Sequence, residues 1–309
     1  MNNLYKKYST LNRNNKDSQF LISTSGKVKA YFGINKDGLF RLSFLSSRAT
    51  DITGDTKSIS VTSGSSSENN YWTCFDLMNE SLLQTFCTFS EDLVSCVVNE
   101  QDEDRAIYKL RARFFTWLAL FKKTRNPLSI EQAKGLFGEL YFMDCYLFDK
   151  YGESKTINGW SGPERFSKDF SIDEDWYEIK TKNALATTVK ISSIQQLSSD
   201  KKGRLVVVSV EEMSDEYGGF NSSINELCVS ILARINDNAN KDEFLNKVSE
   251  AGYDFTDDIG NKKFNVTKID KYIVDNDFPI IKENDLISKA ISNVSYDLII
   301  NMLDKYKEE

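Results

Sequence analysis

Asp169, Glu178 and Lys180 are the residues of this chain whose types and spacing point most directly to chemistry. They stand in Lys168-Asp169-Phe170-Ser171-Ile172-Asp173-Glu174-Asp175-Trp176-Tyr177-Glu178-Ile179-Lys180, with Glu139 upstream. Two carboxylates and a lysine brought together can hold Mg²⁺ and activate water. The 309 residues include no histidine, which excludes Ser-His-Asp triads, Cys-His dyads and histidine-based zinc sites. Any reaction must be built from carboxylates, lysines, hydroxyls or thiols.

An acidic-x-Lys tripeptide is a weak signal alone, because Asp55-Thr56-Lys57, Glu153-Ser154-Lys155 and Asp200-Lys201-Lys202 also satisfy it. Glu178-Ile179-Lys180 differs by following Trp176 and Tyr177, which give the segment strand character. Alternation then sets Glu178 and Lys180 on one face and Ile179 on the core side. A hairpin over residues 166–181 turning at Asp173 and Glu174 places Asp169 opposite Glu178, with Cβ atoms about 4.5–5.5 Å apart. Like charges that close are destabilising unless a cation lies between them, and hard oxygen donors favour Mg²⁺, with Mn²⁺ as the substitute. An acid-lysine contact of this kind also serves as a structural ion pair.

Glu139 lies in Lys134-Gly135-Leu136-Phe137-Gly138-Glu139-Leu140. Two glycines inside a helix cost about 1 kcal/mol each relative to alanine, which predicts close packing there. With Leu136 and Leu140 facing a sheet, Glu139 falls about 60° from one and about 100° from the other, at the rim of the buried face. It either reaches the carboxylate pair or remains solvated.

The elements that must position these groups follow from periodicity. Residues 18–98 read as β-rich, with a mobile loop at Thr62–Asn70 and strands at Tyr71–Phe75 and Leu93–Val98. A helix is expected from Glu100 to Lys123, with Arg105, Lys109, Arg111 and Arg113 largely on its outer faces. Pro127 breaks the chain, and Ser129-Ile130-Glu131-Gln132 reads as a capping box opening a helix to about Asp149. The domain boundary is set near Asn126, giving a 1–126 β-rich domain and a 127–309 core with extension, the core being 127–215 and the extension 216–309. Strands are expected at Thr156–Trp160, Phe166–Ile172, Trp176–Thr181 and Arg204–Val210, with a helix at Ser192–Ser198. Beyond lie helices at Ile224–Ile235, Lys241–Ala251 and Asp285–Lys305 and a strand at Phe264–Val274. The fold class is thus α/β in the broad sense (α+β), with an α-β-β-β-α-β core and a C-terminal α/β extension.

Composition bounds the rest. The apolar fraction of 40% suffices for real cores, no apolar run approaches the ~18 residues of a membrane span, and a polar N-terminus predicts a cytoplasmic protein. Five scattered cysteines without a Cys-x-x-Cys pair read as buried free thiols. The net charge of -7 opposes polyanion binding, but residues 211–309 hold 11 basic and 21 acidic side chains, leaving the first 210 residues at +3.

The ordered blocks Gly135-Leu136-Phe137-Gly138-Glu139-Leu140, Trp160-Ser161-Gly162-Pro163, Asp169-Phe170, Glu178-Ile179-Lys180-Thr181 and Ile191-Ser192-Ser193-Ile194-Gln195-Gln196-Leu197 resemble the bacterial PD-(D/E)xK motif protein family of the restriction-endonuclease-like superfamily. They span residues 129–210; Phe86–Val98 and the Trp117 helix match more loosely. The resemblance implies a restriction-endonuclease-like core and metal-dependent phosphodiester hydrolysis in restriction or DNA defence. Asp169 and Glu178 would ligate the metal, Glu139 would complete the ligand set, and Lys180 would orient water and stabilise the phosphorane. Lys168 stands where the superfamily has proline. Gln196 and Lys182 are nucleic-acid contacts in this reading, with Lys190, Lys201, Lys202 and Arg204 as further backbone contacts, whereas Trp160 and Trp176 read as core anchors. The expected function is a Mg²⁺-dependent DNA endonuclease of a restriction-modification or phage-defence system, with DNA and protein components of that system as partners. The alternative is a non-cleaving DNA-binding or scaffold subunit that keeps the fold.

Overall fold

The computed structural model describes residues 3–12, 14–23, 25–67, 69–121, 128–163, 167–199, 201–214, 222–254, 258–288 and 290–308. Glu68 of the expected loop, the 122–127 segment with its break, Phe166 and Asp200 lie outside the described residues. The chain divides into two compact units, one of residues 1–125 with 253–257 and one of residues 126–252 with 258–309. Among the described residues no helix is long and apolar enough to cross a membrane. All five cysteines are free; Cys74, Cys87 and Cys228 are buried, while Cys96 is half-buried and Cys145 exposed.

In the first unit, α1 (Asn3–Ser9) precedes β1 (Ser18–Ser23), β2 (Lys29–Ile34), β3 (Phe40–Ser46), β4 (Ile59–Ser67) and β5 (Asn70–Leu77). These strands form one antiparallel sheet in the order β1-β2-β3-β5-β4. Helices α2 (Leu83–Val97) and α3 (Glu103–Phe121) follow, and Phe75, Phe89, Phe114 and Trp117 join through ring contacts of 5.2–5.6 Å. Three expectations fail here. Thr62–Ser67 is an edge strand, held by backbone pairing to β5 although its serines bury nothing. Leu93–Val98 is not a strand but mostly the end of α2, whose Phe86, Phe89, Leu93 and Val97 recur at helical spacing on the buried face. Arg113 is also buried rather than outward, 3.2 Å from Asp92, whose carboxylate accepts the Trp117 indole N–H at 2.8 Å.

In the second unit, Ser129 caps α4 (Ile130–Phe142), and the capping box with Gln132 is present. The helix runs through a π-helical turn at Met143–Leu147 into α5 (Phe148–Tyr151). Gly152, at φ 81°, then redirects the chain into α6 (Glu153–Gly159). Thr156–Gly159 is therefore helical instead of extended; the run is too short to display a period, and Thr156 Oγ1 bonds back to the Gly152 carbonyl at 2.8 Å. Strands β6 (Phe170–Ile172), β7 (Asp175–Asn183), β8 (Thr188–Ile191) and β9 (Lys202–Met213) come next. After α7 (Ile224–Arg234) and α8 (Asn238–Glu250) lie β10 (Lys263–Val274) and β11 (Tyr296–Ile299). The main sheet is ordered β10-β9-β7-β6, with β7 and β9 parallel and the other pairs antiparallel. A two-stranded sheet of β8 and β11 stands apart. The unit is thus mixed α/β with antiparallel and mixed sheets, consistent with an α+β class. Between β8 and β9 the described residues form only a single 3₁₀ turn, Ile194–Gln196, where a helix was expected. The helix expected at Asp285–Lys305 is replaced by β11 and 3₁₀ turns, because pairing of β11 with β8 overrides the local pattern.

The two faces of the main sheet are unlike. On one, Trp176, Leu205 and Val207 form a core with Val189, Ile191, Leu298 and Tyr272. The other carries α4, whose Phe142 ring lies 5.7 Å from Tyr177. Gly138 sets how closely α4 approaches β7: a Cβ there would stand 1.9 Å from Thr181 Oγ1 and 3.2 Å from its Cβ, while one at Gly135 would meet nothing within 4 Å. Only Gly138 therefore reflects close packing. Gly138→Ala is expected to destabilise the protein by about 1–3 kcal/mol through overpacking, and Gly135→Ala to stabilise it by about 0.4–1 kcal/mol. Denaturant midpoints of the two variants test the pair, and equal effects would refute this account of the helix-sheet contact.

Candidate active site

The β6–β7 hairpin pairs Phe170 with Tyr177, Ser171 with Trp176 and Ile172 with Asp175. Asp173 makes the turn possible without glycine by adopting φ 54°, a conformation aspartate tolerates better than most residues. Carried one step beyond the Phe170–Tyr177 pair, this register sets Asp169 against Glu178. β6 has ended there, so the β7 edge lacks its strand partner, and Asp169 Oδ2 accepts the freed Ile179 N–H at 2.7 Å. The Asp169 backbone is fixed as well, its carbonyl accepting from Ser161 N at 2.8 Å and Gly162 N at 3.1 Å. Trp160 bridges to Phe170, so the Trp-Ser-Gly block clamps the strand that carries the aspartate.

Glu178 and Lys180 share a face, and that face lies away from α4. Glu178 is 1% exposed. Its Oε1 lies 2.8 Å from Lys180 Nζ, and its Oε2 has no hydrogen-bond partner among the described residues. Glu139 reaches the cluster from α4, its Oε2 accepting the Trp160 indole N–H at 2.7 Å. A Cβ on Gly162 would lie 2.5 Å from Glu139 Oε2 and 3.4 Å from Asp169 Oδ1, so Gly162 is the spot on which both carboxylates converge and only a bare backbone fits.

The electrostatics follow from this crowding. Burial, and then the charge of Asp169, push the Glu178 carboxyl up to about 8. Burial and Asp169 likewise hold Glu139 well above the ordinary carboxylate range, and burial raises Asp169 against the opposing bond from Ile179 N–H. Removal from water disfavours each anion and proximity disfavours the set. Among the described residues, no three Asp, Glu or Cys side chains stand together as a ready-made ion cage. The donor set is nonetheless all oxygen, and the unpartnered Glu178 Oε2 fits a hard divalent cation better than any softer one.

Lys180 Nζ also donates to Gln196 Oε1 at 3.2 Å, and the same oxygen accepts Ser192 N–H at 2.7 Å. Gln196 thus faces Lys180 through its carbonyl end. Lys182 is half-buried and donates to the Asn183 and Ala184 carbonyls at 3.4 and 3.3 Å. Arg204 is not available to a phosphate as expected, since it is held by Asp175 at 2.9 Å and Glu308 at 2.7 Å; Lys201 is exposed beside Glu174 at 3.5 Å.

Three contributors were not assigned these roles from the sequence. Trp160 is a buried anchor and also a donor to Glu139. Gly162 leaves room for the carboxylates. Lys168 is 7% exposed, donates to the carbonyls of Gln195, Gln196 and Ser198 at 2.5–3.1 Å, and lies 4.2 Å from the Trp176 ring centre. The Trp160-Ser161-Gly162-Pro163 block signals the first two; nothing local signals the third.

A family model described as "Putative PD-(D/E)XK family member, (DUF4420)" matches residues 2–301. No curated protein and no solved structure matches the chain.

A carboxyl raised from 4.5 to about 8 in the folded state binds more protons there than when unfolded, so its effect is to lower stability as pH rises between those values. Metal-free protein in chelator is therefore expected to show a falling thermal midpoint from pH 5 to pH 8. Glu178→Gln should flatten that slope. A midpoint that rises across the window, or an unaltered slope in the variant, would contradict the assignment.

Proposed function

We propose that this chain, which belongs to the PD-(D/E)XK family whose model spans it, is a metal-dependent DNA endonuclease of a restriction-modification or phage-defence system. The observation that carries the reading is the register: the hairpin sets Asp169 beside Glu178 at the open edge of β7, with Lys180 Nζ 2.8 Å from Glu178. A purely structural ion pair requires one carboxylate, whereas Glu178 has two further acids of raised proton affinity near it, Asp169 and Glu139.

In this reading Asp169 and Glu178 hold Mg²⁺ or Mn²⁺, with Glu139 completing the set. A bound ion supplies Lewis acidity toward a phosphate oxygen and lowers the pKa of its water. Lys180 remains at the edge of the site, where its ammonium orients the attacking water and offsets charge building on the phosphorane. Gln196 holds Lys180 in place through its side-chain oxygen and keeps its amide N–H groups for a phosphate or water. Trp160 steadies Glu139, and Ile179 N–H fixes the rotamer of Asp169. A single specific observation favours the non-cleaving alternative: the three carboxylates do not form a closed cage among the described residues.

Purified protein incubated with methylated and unmethylated DNA is expected to cleave with Mg²⁺ or Mn²⁺ and not with chelator. Lys180→Ala should lower the rate by roughly 10²–10³-fold, the loss typical of removing one charge-stabilising donor, and Asp169→Ala by at least as much. Cleavage that survives both substitutions sinks the site. Salt-sensitive DNA binding without cleavage under any condition establishes the scaffold.

A further inference from the structure

A cleft of about 270 Å³ opens beside Lys180, lined by Lys182, Asn183, Thr188, Lys190 and, on one wall, Glu131. Its volume lies just below the ~300–1,000 Å³ of small-molecule sites, and its lining is polar and cationic. Glu131 does not cancel this charge, because its carboxylate already accepts from Lys134 Nζ at 2.9 Å. Among the described residues Lys182 hydrogen-bonds to backbone carbonyls, and its nearby acid Asp270 is paired with Lys268 at 2.9 Å and Lys307 at 3.4 Å. Lys190 is exposed; Asp297 is its register partner on β11, yet no ion pair joins them. Three ammonium groups thus gather in one groove of a chain whose net charge is -7.

Strand parity orders them. Lys180 and Lys182 are two residues apart on β7, a step of about 7 Å along the strand, comparable with the separation of successive phosphates on an extended nucleic-acid strand. Lys190 enters from β8, so the cationic line leaves the carboxylate cluster in one direction only. We propose that this cleft receives the phosphodiester backbone of the DNA strand adjoining the scissile phosphate, with Lys182 and Lys190 each pairing with a phosphate. The proposal rests on the nuclease reading above and adds to it the direction in which the strand leaves the site. Such contacts set register and affinity without reading sequence.

The test is fluorescence anisotropy with a labelled DNA duplex in chelator across a salt series. It compares the full-length protein, Lys182→Ala/Lys190→Ala, Lys182→Arg/Lys190→Arg, and a charge-matched control at exposed lysines, Lys36→Ala/Lys155→Ala. The alanine pair is expected to bind about tenfold or more weakly, with a log-log salt slope shallower by about 1.8, two phosphate contacts at roughly 0.9 each. The arginine pair should keep the affinity and the control should change little. Equal losses in the alanine pair and the control, or an arginine pair as weak as the alanine pair, overturn the cleft alone. Absence of both binding and metal-dependent cleavage in the unaltered protein overturns the nuclease reading itself, and the cleft with it.

Discussion

The hydrogen bond from Ile179 N–H to Asp169 Oδ2 is the contact on which the arrangement of the site depends. β6 begins only at Phe170, and the backbone donor that an extension of the strand back to Lys168 would have met is left open on the β7 edge. A buried N–H without an acceptor is costly, and Asp169 removes that cost with its side chain. In doing so it brings a carboxylate beside Glu178, which strand parity holds on the same side. The shortness of β6 thus creates the site: a longer strand would satisfy Ile179 through the ladder and free Asp169 to turn away.

The remaining groups can be understood as responses to that crowding. Lys180 meets Glu178 directly, yet Glu178 remains raised to about 8, so one ammonium does not compensate for burial together with Asp169. Glu139 adds a third acid from α4 and accepts the neutral Trp160 indole N–H. Gly138 lets α4 come close enough for this, and Gly162 leaves the space into which Glu139 and Asp169 point. Both glycines are explained by what a Cβ would strike. Gly135, a few residues earlier on the same helix, strikes nothing and has no such explanation.

How much of this was legible from sequence depended on how local the information was. The Ser129 cap, the β6–β7 turn at Asp173 and the alternation of Glu178 and Lys180 are set by neighbours in the chain, and each was readable. α6 was misread because seven residues cannot show a period. β4 was misread because its serines carry no pattern and the strand exists only through β5. β8 was overlooked and β11 misread as helix for a related reason, since they make a sheet only with each other across more than a hundred residues. The PD-(D/E)xK blocks supplied order where periodicity was silent, but they could not reveal that Trp160 points its N–H at Glu139.

Lys168 shows why a departure from a pattern need not weaken what the pattern supports. Proline at this position would stiffen the approach to Asp169 by fixing φ. Lys168 can secure the same segment from its far end: its ammonium gathers three carbonyls of the turn at Gln195–Ser198 and packs on Trp176. That turn carries Gln196, whose side chain receives Lys180. The residue before the aspartate therefore connects β6 to the turn that faces the lysine, a link no proline could make. Its charge is disfavoured by burial, which pulls it down to about 8, and the three carbonyl oxygens offset that desolvation. An ammonium so fully engaged acts as a tie between backbone segments, and the cationic chemistry of the cluster falls to Lys180.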